Sequence, residues 1–214
     1  MKKMPLLLML SILLTGRMAS AQTTLSPSDE RKFFIQLEQN LGKFPKIESK
    51  FIQEKHLSLF KDVLVSHGLF AFAAPDRLRW EITKPFHSLL VMKGREVSKY
   101  DFPDGVHPHP LPFPAGGALG EVLQQIADIH QGRFDAQGKN YSITVIQDKN
   151  YRVILVPEDP RLRKIIEKIE IGFSVSLDRV ASVVIREKGG DFTRITFEKG
   201  PRDPQLSDRL FSIP

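Results

Sequence analysis

Apolar residues recur along this chain at two spacings, and the spacing divides it into helices and strands. Phe33, Phe34, Leu37 and Leu41 fall on one side of a 3.6-residue repeat, after Ser28-Asp29-Glu30 as N-cap and acidic first turn and before Gly42 as a stop. An amphipathic helix over 28–41 is predicted. From Lys46 the period becomes two: the runs 46–56, 59–73 and 78–83 alternate, with aromatic and β-branched residues on one side, as in a meander. The runs 89–92 and 96–100 flank Lys93-Gly94-Arg95 and read as another hairpin. Prolines at 103, 108, 110, 112 and 114 predict a loop over 102–118 in which no ladder forms. Leu119, Val122, Leu123, Ile126 and Ile129 then form the stripe of a second helix ending near Gly132, and strand patterns resume at 141–146, 151–156, 164–174, 180–186 and 192–197.

Two wide apolar helix faces must cover something, which a sandwich of two sheets would not require. The expected fold is therefore mainly β with α: a large curved antiparallel sheet forming an unclosed, half β-barrel, with a helical lid over an apolar cavity.

The first 21 residues stand apart. Lys2 and Lys3 precede an apolar run, Leu6 to Leu14, and Ala19-Ser20-Ala21 is an A-x-A cleavage site, the three parts of a secretory signal peptide. Cleavage after Ala21 is expected, leaving residues 22–214 as a single domain, soluble in the periplasm. The chain has no cysteine, which removes disulfides, thiolate zinc ligands and a lipid-anchored cysteine at the cleavage site. The formal charge of +6 falls to +3 once Lys2, Lys3 and Arg17 leave. No basic run points to nucleic acid, and none is expected as a partner.

Candidate chemistry is sparse. His107 and His109 flank Pro108 in a proline-rich loop that fixes no metal geometry, and His56, His67, His87 and His130 are scattered without a nucleophile or orienting acid. Exposed polar roles are expected for them. Gly116-Gly117-Ala118-Leu119-Gly120 lacks the spacing of a phosphate loop and reads as a hinge. Arg161, Arg163, Lys164 and Lys168 form a basic cluster, read either as a solvated edge or as a docking site for an anionic headgroup or acidic surface. No catalytic residue, metal or cofactor is expected. Period 2 places Phe70 and Phe72 on one face of a strand, and Leu78, Trp80 and Ile82 on one face of the next, so a curved sheet would turn an apolar trough inward. Arg77 and Arg79 fall on the opposite, outward face.

Pro75-Asp76-Arg77-Leu78-Arg79-Trp80-Glu81, followed by Lys84-Pro85, Lys93-Gly94 and Tyr100-Asp101, resembles the core block of the LolA family of periplasmic lipoprotein carriers. The likeness continues in order through Phe51-Ile52-Gln53, the strand 151–157 ending in Leu155-Val156-Pro157, Ile169-Glu170-Ile171, Gly190-Asp191-Phe192-Thr193 and the terminal Leu210-Phe211-Ser212-Ile213-Pro214. Two positions depart from the pattern: Ala74 stands where the family usually has a lid-latching arginine, and Leu78 where it has phenylalanine. The phrases 53–57 and 80–86 look closer to a LolA-like branch associated with other lipid-linked envelope products.

The resemblance implies a carrier, not an enzyme, that binds acyl chains in its cavity and shuttles a lipid-bearing cargo, a lipoprotein or a glycolipid-like molecule, from the inner toward the outer membrane. Its expected cavity wall is Phe51, Phe70, Phe72, Leu78, Trp80, Ile82, Leu89 and Val91, and its lid Phe34, Leu37, Leu123 and Ile126. Its expected partners are an inner-membrane donor transporter, an outer-membrane acceptor and, transiently, the membrane surface, with the carrier itself a monomer. A lipid-sensing regulatory module and an enzyme using the cavity as an active site are the alternatives on the same scaffold.

Overall fold

A computed structural model describes residues 23–94, 96–112, 127–129, 140–201 and 204–212. Its strands are β1 (Thr23–Thr24), β2 (Lys46–His56), β3 (Leu64–Ala73), β4 (Arg77–Lys84), β5 (Ser88–Lys93), β6 (Glu96–Asp101), β7 (His109–Leu111), β8 (Tyr141–Gln147), β9 (Tyr151–Pro157), β10 (Ile166–Phe173), β11 (Val180–Glu187) and β12 (Phe192–Phe197). Helix α1 (Pro27–Leu41) precedes β2, the single turn α2 (Pro160–Arg163) precedes β10, and a 3-10 turn, Asp208–Phe211, follows β12. Residues 127–129 are also helical.

All twelve strands join one antiparallel sheet in the order β1-β8-β9-β10-β11-β12-β2-β3-β4-β5-β6-β7. Two meanders thus meet where β12 pairs with β2, and the sheet stays unclosed, with β1 and β7 at its edges. The register brings Phe70 opposite Trp80 and Phe72 opposite Leu78, so the apolar faces of β3 and β4 coincide as period 2 predicts.

Helix α1 starts one residue earlier than predicted because Ser26, not Ser28, is its cap. The Ser26 hydroxyl accepts from the Asp29 amide at 3.3 Å, and Pro27 occupies the first turn, where its missing N–H costs nothing. Phe33, Leu37 and Leu41, spaced by four, are buried against the sheet. Glu30 fixes the helix from its flank by accepting from the Val145 amide of β8 at 3.0 Å.

Four expectations need correction. Strand β3 begins at Leu64, not Leu59, because residues 57–63 are spent on the connection from β2. The proline-rich loop does contain a strand: β7 pairs with β6, Pro110 opposite Tyr100. An edge strand tolerates proline because it pairs on one side only. The run predicted as strand from Lys164 becomes strand only at Ile166, since Asp159 caps α2 by accepting from the Arg161 amide at 2.7 Å. Finally, Leu89 and Val91 do not face the trough. They pair with Glu81 and Arg79, whereas Leu90 and Met92 pair with Trp80 and Leu78 and join the main core.

The opposite face of β4 and β5 is covered by the C-terminal segment. Arg79 donates to the Leu210 carbonyl at 3.0 Å, Arg77 pairs with Asp208, and the Arg77 guanidinium lies 5.3 Å over the Phe211 ring. Both arginines face away from Leu78 and Trp80, as expected, but they anchor a strap of the chain's own backbone.

Candidate functional site

The face of the sheet under α1 is continuous and apolar. Its centre is an aromatic cluster across β12, β2, β3 and β4: Phe51 lies 4.2 Å from Trp80, Phe70 5.4 Å from Phe197, and Trp80 6.1 Å from Phe197, ring centre to ring centre. Gly68 makes room for it, since a Cβ there would run into the Phe51 ring and the Glu81 carbonyl oxygen. Helix α1 closes over the other half of the face, with Phe33 4.9 Å from Tyr151 and 6.1 Å from Phe173.

The structure brings six of the eight predicted wall residues together. Phe51, Phe70, Phe72 and Leu78 are at most 1% exposed, and Trp80 and Ile82 pack on them half-buried. Leu89 and Val91 are buried on the other face. Of the lid residues, Leu37 is buried and Phe34 half-buried beside Phe33. Leu123 and Ile126, like the hinge at 116–120, lie outside the described residues, though Ala127 and Ile129 are buried in the same core. Sequence reasoning placed Phe33 on the apolar stripe of the helix but not in the lid, and passed over Tyr151, Phe173 and Phe197 as part of this surface. Phe33 and Phe197 had usable signals, the first at i−4 from Leu37 and the second in phase with Ile195.

One end of the apolar face opens into a pocket of about 60 Å³. Phe44, Ile47, Phe70, Val180 and Phe197 form its floor, and Lys46, Glu48, Asp178, Arg179 and Lys199 its rim. Ser49, buried beside it, donates to the Glu198 carbonyl at 2.6 Å, so the polar group in this apolar wall is satisfied. Sites that engulf a ligand of drug size run from roughly 300 Å³ upward. This pocket by itself is therefore too small to enclose such a ligand.

Titratable groups gather outside this face. Glu81 accepts from Arg79 Nε at 3.0 Å and lies 2.8 Å from His87 Nε2, whose ring stacks on Phe102 at 3.9 Å. His56 stacks on Phe192 at 4.1 Å. Neither histidine is the exposed polar residue expected from sequence: each is partly buried against an aromatic ring. Asp104 is pulled down to about 2, chiefly by its hydrogen bond with the His107 ring 2.6 Å away and then by the His107 and Val106 amides. The basic cluster is divided: Arg161 pairs with its capping Asp159 at 2.9 Å, while Lys168 pairs with Glu170 at 3.2 Å. Among the described residues, no three histidine and acidic side chains gather as metal ligands would.

Residues 43–104, from the connection after α1 through β6, match the family described as outer membrane lipoprotein carrier protein LolA. Over that segment the chain is similar to LolA. Over 100 residues it is 31% identical to an outer-membrane lipoprotein carrier protein of Psychromonas ingrahamii, a match spanning 47% of this chain and 45% of that one. A protein of the same description from Aeromonas salmonicida is 27% identical over 184 residues, 83% of each chain. Among solved structures, a LolA superfamily protein from Nitrosomonas europaea is similar over 86% of this chain and 97% of its own, with 13% identity and a TM-score of 0.44. The matched segment contains all six wall residues of the aromatic face, whereas α1, which packs on the neighbouring half of the same face, precedes it.

Proposed function

We propose that this protein is a periplasmic carrier that holds the acyl chains of a lipoprotein or another lipid-linked envelope molecule against its aromatic sheet face and moves it from the inner toward the outer membrane. The observation that carries the reading is a continuous apolar sheet face, far wider than the pocket described at its end, with the amphipathic helix α1 packed on part of it. Each acyl methylene taken from water is worth about 0.8 kcal/mol, so one fatty chain gains on the order of 10 kcal/mol before ordering costs. Capture is thus easy and release is the problem. A cover that packs its own Phe33, Leu37 and Leu41 onto the same face competes with cargo and keeps the net affinity low enough for transfer.

On this reading the protein performs no covalent chemistry. It takes cargo from an inner-membrane transporter and yields it to an outer-membrane acceptor, acting as a monomer after loss of residues 1–21. Transfer between vesicles tests it: the protein should speed the movement of a fluorescent diacyl lipid from donor to acceptor vesicles in proportion to its concentration. A rate equal to that without protein would count against a carrier.

A further inference from the structure

One end of the sheet is apolar where a soluble protein has no internal reason to be. The register puts the connections β2–β3, β4–β5, β6–β7 and β11–β12 at the same end. Leu59 is 91% exposed, Phe60 65%, Phe86 83% and Val106 71%. These are loop tips whose side chains, among the described residues, belong to neither core cluster.

The β2–β3 hairpin also stands proud of its neighbour. Lys55 pairs with Leu64, but β4 reaches β3 only at His67, leaving Leu64, Val65 and Ser66 without a partner on that side. Three strand residues span roughly 10 Å at the usual rise. That length matches the depth, roughly 5–10 Å, to which interfacial apolar segments sink into the headgroup and acyl boundary.

The charges complete the picture. Asp104 is turned back onto its own loop through the Val106 and His107 amides, and Asp191 accepts from the Ser58 amide at 2.7 Å. Lys61, Lys84 and Lys188, each exposed beside an apolar tip or in the adjoining turn, form no ion pair among the described residues; the acids of the same connections are Asp62, Asp104 and Asp191, with Glu187 at the end of β11. Lysines flanking inserted apolar side chains keep their stems in the interface and their ammonium groups at the phosphates.

We propose that this end, led by Leu59 and Phe60 and flanked by Phe86, Lys61 and Lys84, is a membrane-docking tip that inserts into the headgroup region of a bilayer containing anionic lipid. The tip lies at the opposite end of β2 and β3 from the pocket lined by Phe44, Ile47 and Phe70, so it grips the surface while the pocket end stays clear of it. The inference deepens the carrier reading by assigning the surface that meets the membrane, but the two fail separately: empty vesicles report docking, and bound lipid reports cargo.

The test is co-sedimentation of the full-length gene product, exported and with its processed mass recorded, with vesicles of phosphatidylcholine alone or mixed with phosphatidylglycerol. Binding is expected to the mixed vesicles, weaker to the neutral ones, and reduced by salt. Replacing two exposed apolar side chains, Leu59→Ser and Phe60→Ser together, should weaken it by at least about a hundredfold, from burial worth about 1.5–3 kcal/mol per side chain. The pair Lys61→Glu and Lys84→Glu should abolish the preference for phosphatidylglycerol. All four positions are exposed, so unchanged melting is expected and checks folding. Wild-type protein that ignores both vesicle types, or a Ser pair that binds like wild type, overturns the proposal. So does a Leu59- and Phe60-dependent dimer in sedimentation with no vesicle binding, which would make the tip a contact between copies.

Discussion

Leu37→Ala separates a cover that competes with cargo from a helix that is merely part of the core. Leu37 is 0% exposed, midway along the buried stripe of α1. Removing its side chain from a packed site costs about 2–5 kcal/mol. For a chain of this size that lowers Tm by about 4–20 °C. If cargo lifts α1 from the apolar face, the bound form never had the lost contacts, and the deficit falls on the empty form alone. Affinity for an acyl chain then rises, by about thirtyfold for a 2 kcal/mol effect. Scanning calorimetry and titration with a fluorescent fatty acid read the two quantities separately. Phe211→Ala, which thins the strap on the opposite face, is the control: it should lower Tm and leave probe affinity unchanged. A Leu37→Ala protein that melts earlier while binding the probe no better, or worse, would refute competition between cover and cargo.

Other substitutions test the framework. Gly68→Ala should destabilise by about 1–3 kcal/mol, because its Cβ meets the Phe51 ring and a backbone carbonyl that cannot withdraw; urea unfolding with an unchanged midpoint would contradict this packing. Glu170, 11% exposed, accepts from Arg186 at 2.8 Å and from Arg152 and Lys168 at 3.2 Å. Burial alone would raise its pKa, but the hydrogen bonds from Arg186 and Lys168 outweigh it and hold the carboxyl below the usual glutamate range. Its stabilisation is therefore complete above the unfolded pKa and lost as pH falls through the lowered one. Glu170→Gln should cost about 1–3 kcal/mol at neutral pH, with the gap to wild type closing in acid; a gap independent of pH would rule out the charge as its source.

Most of the sheet was legible because one face of most strands is covered and the other is not, which writes period 2 into the chain. β2, for example, runs from Lys46 to His56 as its alternation predicts. The same logic explains the failure at Leu89-Leu90-Val91-Met92. All four are buried, two under the main core and two on the face that the C-terminal strap overlies, so the run has no period from which a face can be read. Only the register with β4 assigns it. The strap was invisible for a related reason: Phe211 and Leu210 look like a frayed terminus until Arg77 and Arg79 are seen to hold them. β7 was missed because proline excludes a residue from a central strand but not from an edge. For the site, Phe70, Phe72 and Trp80 followed from alternation, but the partnership of Phe70 with Phe197 joins the two meanders, a long-range pairing that local pattern does not encode.

The most direct measurement is native mass spectrometry of the protein purified gently from the cells that make it, with extraction of whatever it holds. A carrier gives a mass increment that corresponds to an acylated protein or a lipid-linked molecule, released on mild unfolding and reduced when the aromatic face is changed by Trp80→Ser. Protein that is reproducibly empty, from cells actively building their envelope, would contradict the carrier.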